Sequence, residues 1–95
     1  MIELAEFPFN SKKRVKFSIL TEPGHEVYVA GSFNGWNPKK HKLIYSSGSC
    51  STSFLLPAGR YEYKFVVDGE WCVDPACPNR SPNGLGTLNS ILVIS

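Results

Sequence analysis

The side chains able to do covalent chemistry are few and scattered. Nucleophilic catalysis needs a nucleophile beside a base that is itself oriented. Neither His25 nor His41 sits in a recognisable nucleophile motif, and both read as surface histidines. Glycoside hydrolysis needs two facing carboxylates, but Asp68 and Glu70 flank Gly69 in a turn, and Asp74 precedes Pro75, another turn setting. The tripeptide "GLG" at 84–86 opens no helix, so it is neither a Walker motif nor a dinucleotide fingerprint. Cys50, Cys72 and Cys77 are odd in number and lack paired metal-ligand spacing, which reads as cytosolic free thiols, with a Cys72–Cys77 bridge as the alternative. The expectation is a protein that is not an enzyme and carries no metal and no cofactor.

The two tryptophans point to binding instead. In "AGSFNGWNP", Ala30 to Pro38, the indole of Trp36 stands among glycines, asparagines and a proline, which bend a chain at the surface. Trp36 is therefore expected near solvent. Trp71 repeats the oddity, because it directly follows the "DGE" reversal. An indole has an apolar face and a polar edge, and a pyranose ring offers axial C–H groups to such a face. About 100 Å² of covered apolar area per ring gives about 2.5 kcal/mol, so two platforms give about 5 kcal/mol before other terms.

Strands must position these rings. Val15, Phe17 and Ile19 alternate with Lys16, Ser18 and Leu20, and Val27 and Val29 alternate with Tyr28 and Ala30. "KLIY" and "CSTSFLL" flank the loop "SSGS". In "GRYEYKFVV", Tyr61, Tyr63, Phe65 and Val67 take one face, while Glu62, Lys64 and Val66 take the other. Asp68-Gly69 closes a tight hairpin. The segment from Cys72 to Asn89 holds Pro75, Pro78, Pro82, Gly84 and Gly86 and reads as a long ordered loop, and "SILVI" closes the chain as a strand. No window has a helical period. This pattern predicts an all-β fold, an antiparallel immunoglobulin-like β-sandwich of early-set type with about seven strands.

Composition agrees with that reading. Ninety-five residues make a single domain, 1–95, with 42% apolar and 19% charged residues, outside the range of disorder. The net charge of +2 and the short clusters Lys12-Lys13-Arg14 and Lys39-Lys40-His41-Lys42 do not imply nucleic acid or a membrane as partner. No apolar run reaches signal-peptide or transmembrane length, and a cytoplasmic setting is expected. Taken alone, Lys64 is a solvated strand lysine able to donate to hydroxyls, and Leu85 is a loop residue packing back on the core.

"VYVAGSFNGWN", "GRYEYKFVVDGEWCVDP" and "NGLGTLNSILVI" occur in this order. From about Arg14 to Ile94 the chain resembles carbohydrate-binding module family 48, the group that includes the glycogen-binding domain of AMP-activated protein kinase beta subunits and N-terminal domains of branching and debranching enzymes. The resemblance implies non-catalytic binding of α-1,4-linked glucan, either glycogen or a starch-like polymer, between two tryptophans. It also implies a partner or fused glucan-metabolising enzyme or kinase held near the polymer. Carried over residue by residue, the site is Trp36, Lys64, Trp71, Leu85, Thr87 and Asn89. The chain starts with Met and stops one residue past its last strand, which reads as an excised domain or a small free-standing glucan binder. An immunoglobulin-like protein-interaction module is the alternative reading.

Leu85 stands between Gly84 and Gly86, whose permissive backbones let one apolar side chain project from the loop toward a curved glucan. Leu85→Ala is expected to weaken maltoheptaose binding roughly tenfold, the lower end of what burying a leucine contributes, with little change in Tm. A lowered Tm with unchanged affinity would instead make Leu85 a plug of the core.

Overall fold

The computed structural model describes residues 12–82 and 87–95. It contains eight strands there: β1 (Lys13–Leu20), β2 (Val27–Gly31), β3 (His41–Ser46), β4 (Ser49–Leu56), β5 (Gly59–Val67), β6 (Glu70–Cys72), β7 (Arg80–Pro82) and β8 (Leu88–Ile94). All pairings are antiparallel, in the order β1-β4-β3-β2-β5-β8-β7, with β6 also paired to β5. One ladder becomes two layers because β3 changes partner halfway. His41 to Leu43 pair with β2, and Ile44 to Ser46 pair with β4.

The core lies between the layers. Alternation places Phe17, Cys50 and Leu56 inward from β1 and β4, and Val27, Val29, Tyr63, Phe65 and Ile94 inward from the other layer. Phe17 meets Tyr63 edge-on across the gap, with centroids 5.1 Å apart, and stacks on Phe54 at 5.3 Å. Such aromatic contacts each add about 0.5–1.5 kcal/mol beyond burial of the rings. Burial pushes the Cys50 thiol pKa up. Cys72 and Cys77 are free thiols as well.

Gly31 is dictated by close approach. A Cβ there would lie 2.5 Å from the Glu62 carbonyl oxygen and 2.7 Å from the Phe33 ring. Ala30 beside it is fully buried, so β2 lies tight against β5.

Two expectations change. The proline-rich segment contains a short strand, β7, whose Arg80, Ser81 and Pro82 face Ser90, Asn89 and Leu88 of β8. Proline is tolerated because β7 lies at the edge of the sheet, where one side of the strand has no ladder to complete. His41 is not a surface histidine. Its ring stacks on Phe54 at 4.1 Å and 17°, and its Nδ1 accepts from Asn34 Nδ2 at 2.9 Å.

The His41 tautomer follows from Asn34. Asn34 Oδ1 accepts from the Gly31 amide, so Nδ2 faces the Val29 carbonyl and His41 Nδ1, which must be unprotonated. Burial, then the Lys40 charge, holds the His41 pKa below its ordinary value. Between that lowered pKa and about 6.5 the unfolded chain binds more protons, so stability rises with pH. His41's contribution is present above about pH 6.5 and is lost as pH falls through the folded-state pKa. Tm measured from pH 7.5 down to pH 5 should fall, and His41→Phe should remove His41's share of that slope. A slope identical in the variant would contradict the assignment.

Candidate functional site

The site face is the outside of the layer built on β5. Side-chain alternation turns Glu62, Lys64 and Val66 away from the core, and the ladders set neighbours beside them. Lys42, Tyr28, Val66 and Trp71 form one cross-strand row through β3, β2, β5 and β6. Trp71 is 47% exposed on the short strand β6.

The hairpin that presents Trp71 turns through Asp68 and Gly69, with φ of 50° and 85°, as a two-residue turn with two positive φ angles requires. Asp68 also ties it down. Its Oδ1 accepts from the Glu26 amide at 2.9 Å and its Oδ2 pairs with His25 Nδ1 at 2.6 Å. The Glu26 amide, then His25, hold the Asp68 carboxyl below the usual carboxylate range.

Trp36 arrives from a loop locked by Asn34. After β2 the chain makes a 3₁₀ turn at Ser32–Asn34. Gly35 and Trp36 then take left-handed φ values of 67° and 59°, and the Trp36 amide donates to the Gly31 carbonyl at 2.9 Å. A left-handed conformation costs a bulky side chain roughly 1–2 kcal/mol. That strain aims the indole at Trp71, with centroids 6.4 Å apart and planes tilted by 48°. The expectation of a solvent-standing ring is corrected in part: Trp36 is half-buried, because one side of it packs toward Trp71 and the sheet.

Lys64 is not a solvated strand lysine. It is 8% exposed, and its Nζ donates to Thr87 Oγ1 at 2.9 Å. Its other two N–H groups have no protein acceptor among the described residues. Asn89, 7% exposed, donates through Nδ2 to Glu62 Oε1 at 3.1 Å. Tyr63 and Ser90 pair across β5 and β8 and face inward, so Lys64 and Asn89, the next residue on each strand, share the outer face. Trp36, Lys64, Trp71, Thr87 and Asn89 thus fall on one side of the molecule. Leu85 lies outside the described residues.

Two neighbours escaped the sequence reading. Tyr28 lines a groove with Trp71, Pro38, Lys39 and Val66, and Glu62 carries Asn89. Their signal was the period of two, since Tyr28 alternates with buried Val27 and Val29, and Glu62 lies two residues before Lys64.

Of the groups weighed for catalysis, His25, His41, Asp68 and Asp74 hold turns and loops in place. Asp74 is buried, takes the Tyr63 hydroxyl at 2.6 Å and the Ala76 amide at 2.9 Å, and fixes the chain after Trp71 to the core. Burial, then Asp74, pushes the Tyr63 phenol far above its ordinary pKa. Among the described residues no cluster of three His, Cys, Asp or Glu could hold a metal, and no helix is long and apolar enough to cross a membrane.

A β-sandwich that carries paired indoles on the same outer face as a buried lysine and asparagine defines a small binding module. Residues 15–95 match the family described as the glycogen recognition site of AMP-activated protein kinase, and the chain belongs to that family. It is similar to the beta-2 subunit of 5'-AMP-activated protein kinase of Mus musculus, 42% identical over 72 residues that cover 76% of this chain and 26% of that protein. It is also similar to Protein FLOURY ENDOSPERM 6, chloroplastic, of Oryza sativa subsp. japonica, 39% identical over 74 residues, 78% of this chain and 14% of that protein. A crystal structure of maltogenic amylase from S. marinus shares the fold with a TM-score of 0.76 at 23% identity, over 90% of this chain and 14% of that one. The chain therefore spans about a quarter of the kinase subunit.

The strain at Trp36 generates a test. Trp36→Gly removes the indole and relieves the left-handed backbone, so glucan affinity should fall at least tenfold while Tm moves by less than about 4 °C. Trp71→Ala should weaken binding at least as much, with Tm unchanged, because Trp71 is exposed on a short strand. Unfolding of either variant would assign its ring to the core.

Proposed function

We propose that this domain is a non-catalytic module that binds α-1,4-linked glucan, such as glycogen or a starch-like polymer, and holds a partner or fused enzyme at the polymer. The observation that carries the reading is the indole pair, 6.4 Å apart and tilted by 48°, beside the buried side chains of Lys64 and Asn89. Tilted faces suit a ligand that curves, as α-1,4-glucan does, better than a flat chain. Lys64 Nζ has N–H groups to give to vicinal hydroxyls beside Thr87, and Leu85 is proposed as a further apolar contact to the glucan. The family match supports the ligand class, and the kinase subunits and the amylase among similar proteins support an enzyme partner. A cytoplasmic setting accords with three free thiols. Free-standing or fused, the 1–95 unit is proposed to work as one domain.

A second reading, docking of a protein, is favoured by exposed Leu20, Ile44 and Leu55 on the outer face of β1, β3 and β4. A native gel containing glycogen separates the two. Retardation reversed by maltoheptaose is expected, with a Kd between about 1 µM and 1 mM. Mobility should change little between about 50 and 500 mM salt, because a neutral ligand releases no counterions. Unchanged mobility in glycogen would sink the glucan reading.

A further inference from the structure

Beyond the indole pair, on the Trp36 side, lies a groove of about 470 Å³, within the roughly 300–1,000 Å³ usual for small-molecule sites. Ser32, Trp36, Arg60, Glu62, Pro82 and Asn89 line it. Its polar wall is built rather than incidental. Glu62 Oε1 accepts from Asn89 Nδ2 at 3.1 Å and Oε2 accepts from Arg60 Nη1 at 3.0 Å, while the Glu62 amide donates to Ser32 Oγ at 3.2 Å. The Asn89 hydrogen bond, then Arg60, hold the Glu62 carboxyl below its ordinary pKa, so it is charged at neutral pH.

This arrangement leaves specific capacity unfilled. Each carboxylate oxygen of Glu62 retains a lone pair without a protein donor among the described residues. Because Glu62 takes one amide hydrogen of Asn89, the Asn89 Oδ1 points elsewhere. That oxygen has no donor among the described residues, on a side chain only 7% exposed. A buried acceptor without a donor costs about 1–3 kcal/mol, and a ligand hydroxyl or a water removes that cost. The groove therefore combines a row of acceptors with the indole of Trp36, which matches a sugar unit offering several hydroxyls beside a C–H face.

We propose that this groove is a further subsite, in which Glu62, braced by Arg60 and Asn89, accepts hydroxyls from a glucose unit lying beyond the indole pair. Glu62 is also a positioning residue for Asn89, since its charge fixes which way that amide points. The subsite rests on the glucan reading above. A short glucan fills the indole pair alone, and a longer one reaches the groove.

Calorimetric titration of the whole chain with maltotriose and maltoheptaose tests this on Glu62→Gln. A glutamine keeps its oxygen toward the Arg60 donor, so its amide faces Asn89, which must turn Oδ1 inward to accept from it and Nδ2 outward, inverting the polarity offered to the ligand without changing shape. Turning Asn89 should weaken binding of both sugars, and maltoheptaose, which also loses the Glu62 acceptors, should lose about tenfold more than maltotriose does, with Tm held. Arg60→Ala, at a half-exposed side chain, should show a weaker form of the same length-dependent loss. Equal affinities for maltoheptaose in wild type and Glu62→Gln would overturn the subsite, as would an equal loss for both sugars, which would confine Glu62 to the indole pair. If wild type binds neither sugar and Trp71→Ala changes nothing, the glucan reading fails, and the subsite with it.

Discussion

From Tyr63 to Val66 strand β5 has no free face, and the rest of the molecule is arranged around that constraint. On one side Tyr63 and Phe65 fill the core, and on the other Lys64 and Val66 are as well covered as core residues. A half-buried strand in a two-layer sandwich would expose its polar face. Here β2, β6 and β8 flank β5, and the side chains that cross the outer face cover what would have been a solvated row. Burying a lysine without a carboxylate partner is costly. The hydrogen bond to Thr87 meets part of that cost, and two N–H groups remain without a protein acceptor among the described residues.

The Trp36 loop shows the same economy of structure at a different scale. Asn34 uses both amide hydrogens and its oxygen on Val29, His41 and Gly31, leaving the loop one hydrogen-bonded solution. Only within that frame does a tryptophan persist at φ 59°. The strain is local, and its benefit is the fixed angle between two rings that 34 intervening residues separate in sequence. A ring held in place before ligand arrives loses less freedom on binding. His41 makes this frame depend on an unprotonated imidazole, which couples loop order to pH through one nitrogen.

Membership of a glycogen-recognition family and the local geometry support each other through different residues. The family match rests on the chain from Val15 to Ser95. The geometry rests on contacts within this chain, including Glu62 and Tyr28, that no motif singled out. Asp74 illustrates the opposite case: a carboxylate whose place before Pro75 reads as a turn is committed to Tyr63, Ala76 and the turn after Trp71.

Alternation of apolar and polar residues was enough to set the longer strands and the inward faces of β1, β2 and β5, and the Asp68-Gly69 pair set its own reversal, because these depend on neighbours within a few residues. The segment around Asn34 was also readable as a turn, since glycine, asparagine and proline act on their own backbone. Burial of Lys64, the half-burial of Trp36 and the role of His41 were not readable. Each depends on what lies across the ladder or above the face, on Thr87, Trp71 and Phe54, and a period of two is silent about a second covering layer. The short strand β7 escaped for a related reason: proline and glycine argue against a ladder in general, yet an edge position asks for hydrogen bonds on one side only. Sequence determined which residues could face outward together, and tertiary structure decided which of them were close enough, and dry enough, to act as one surface.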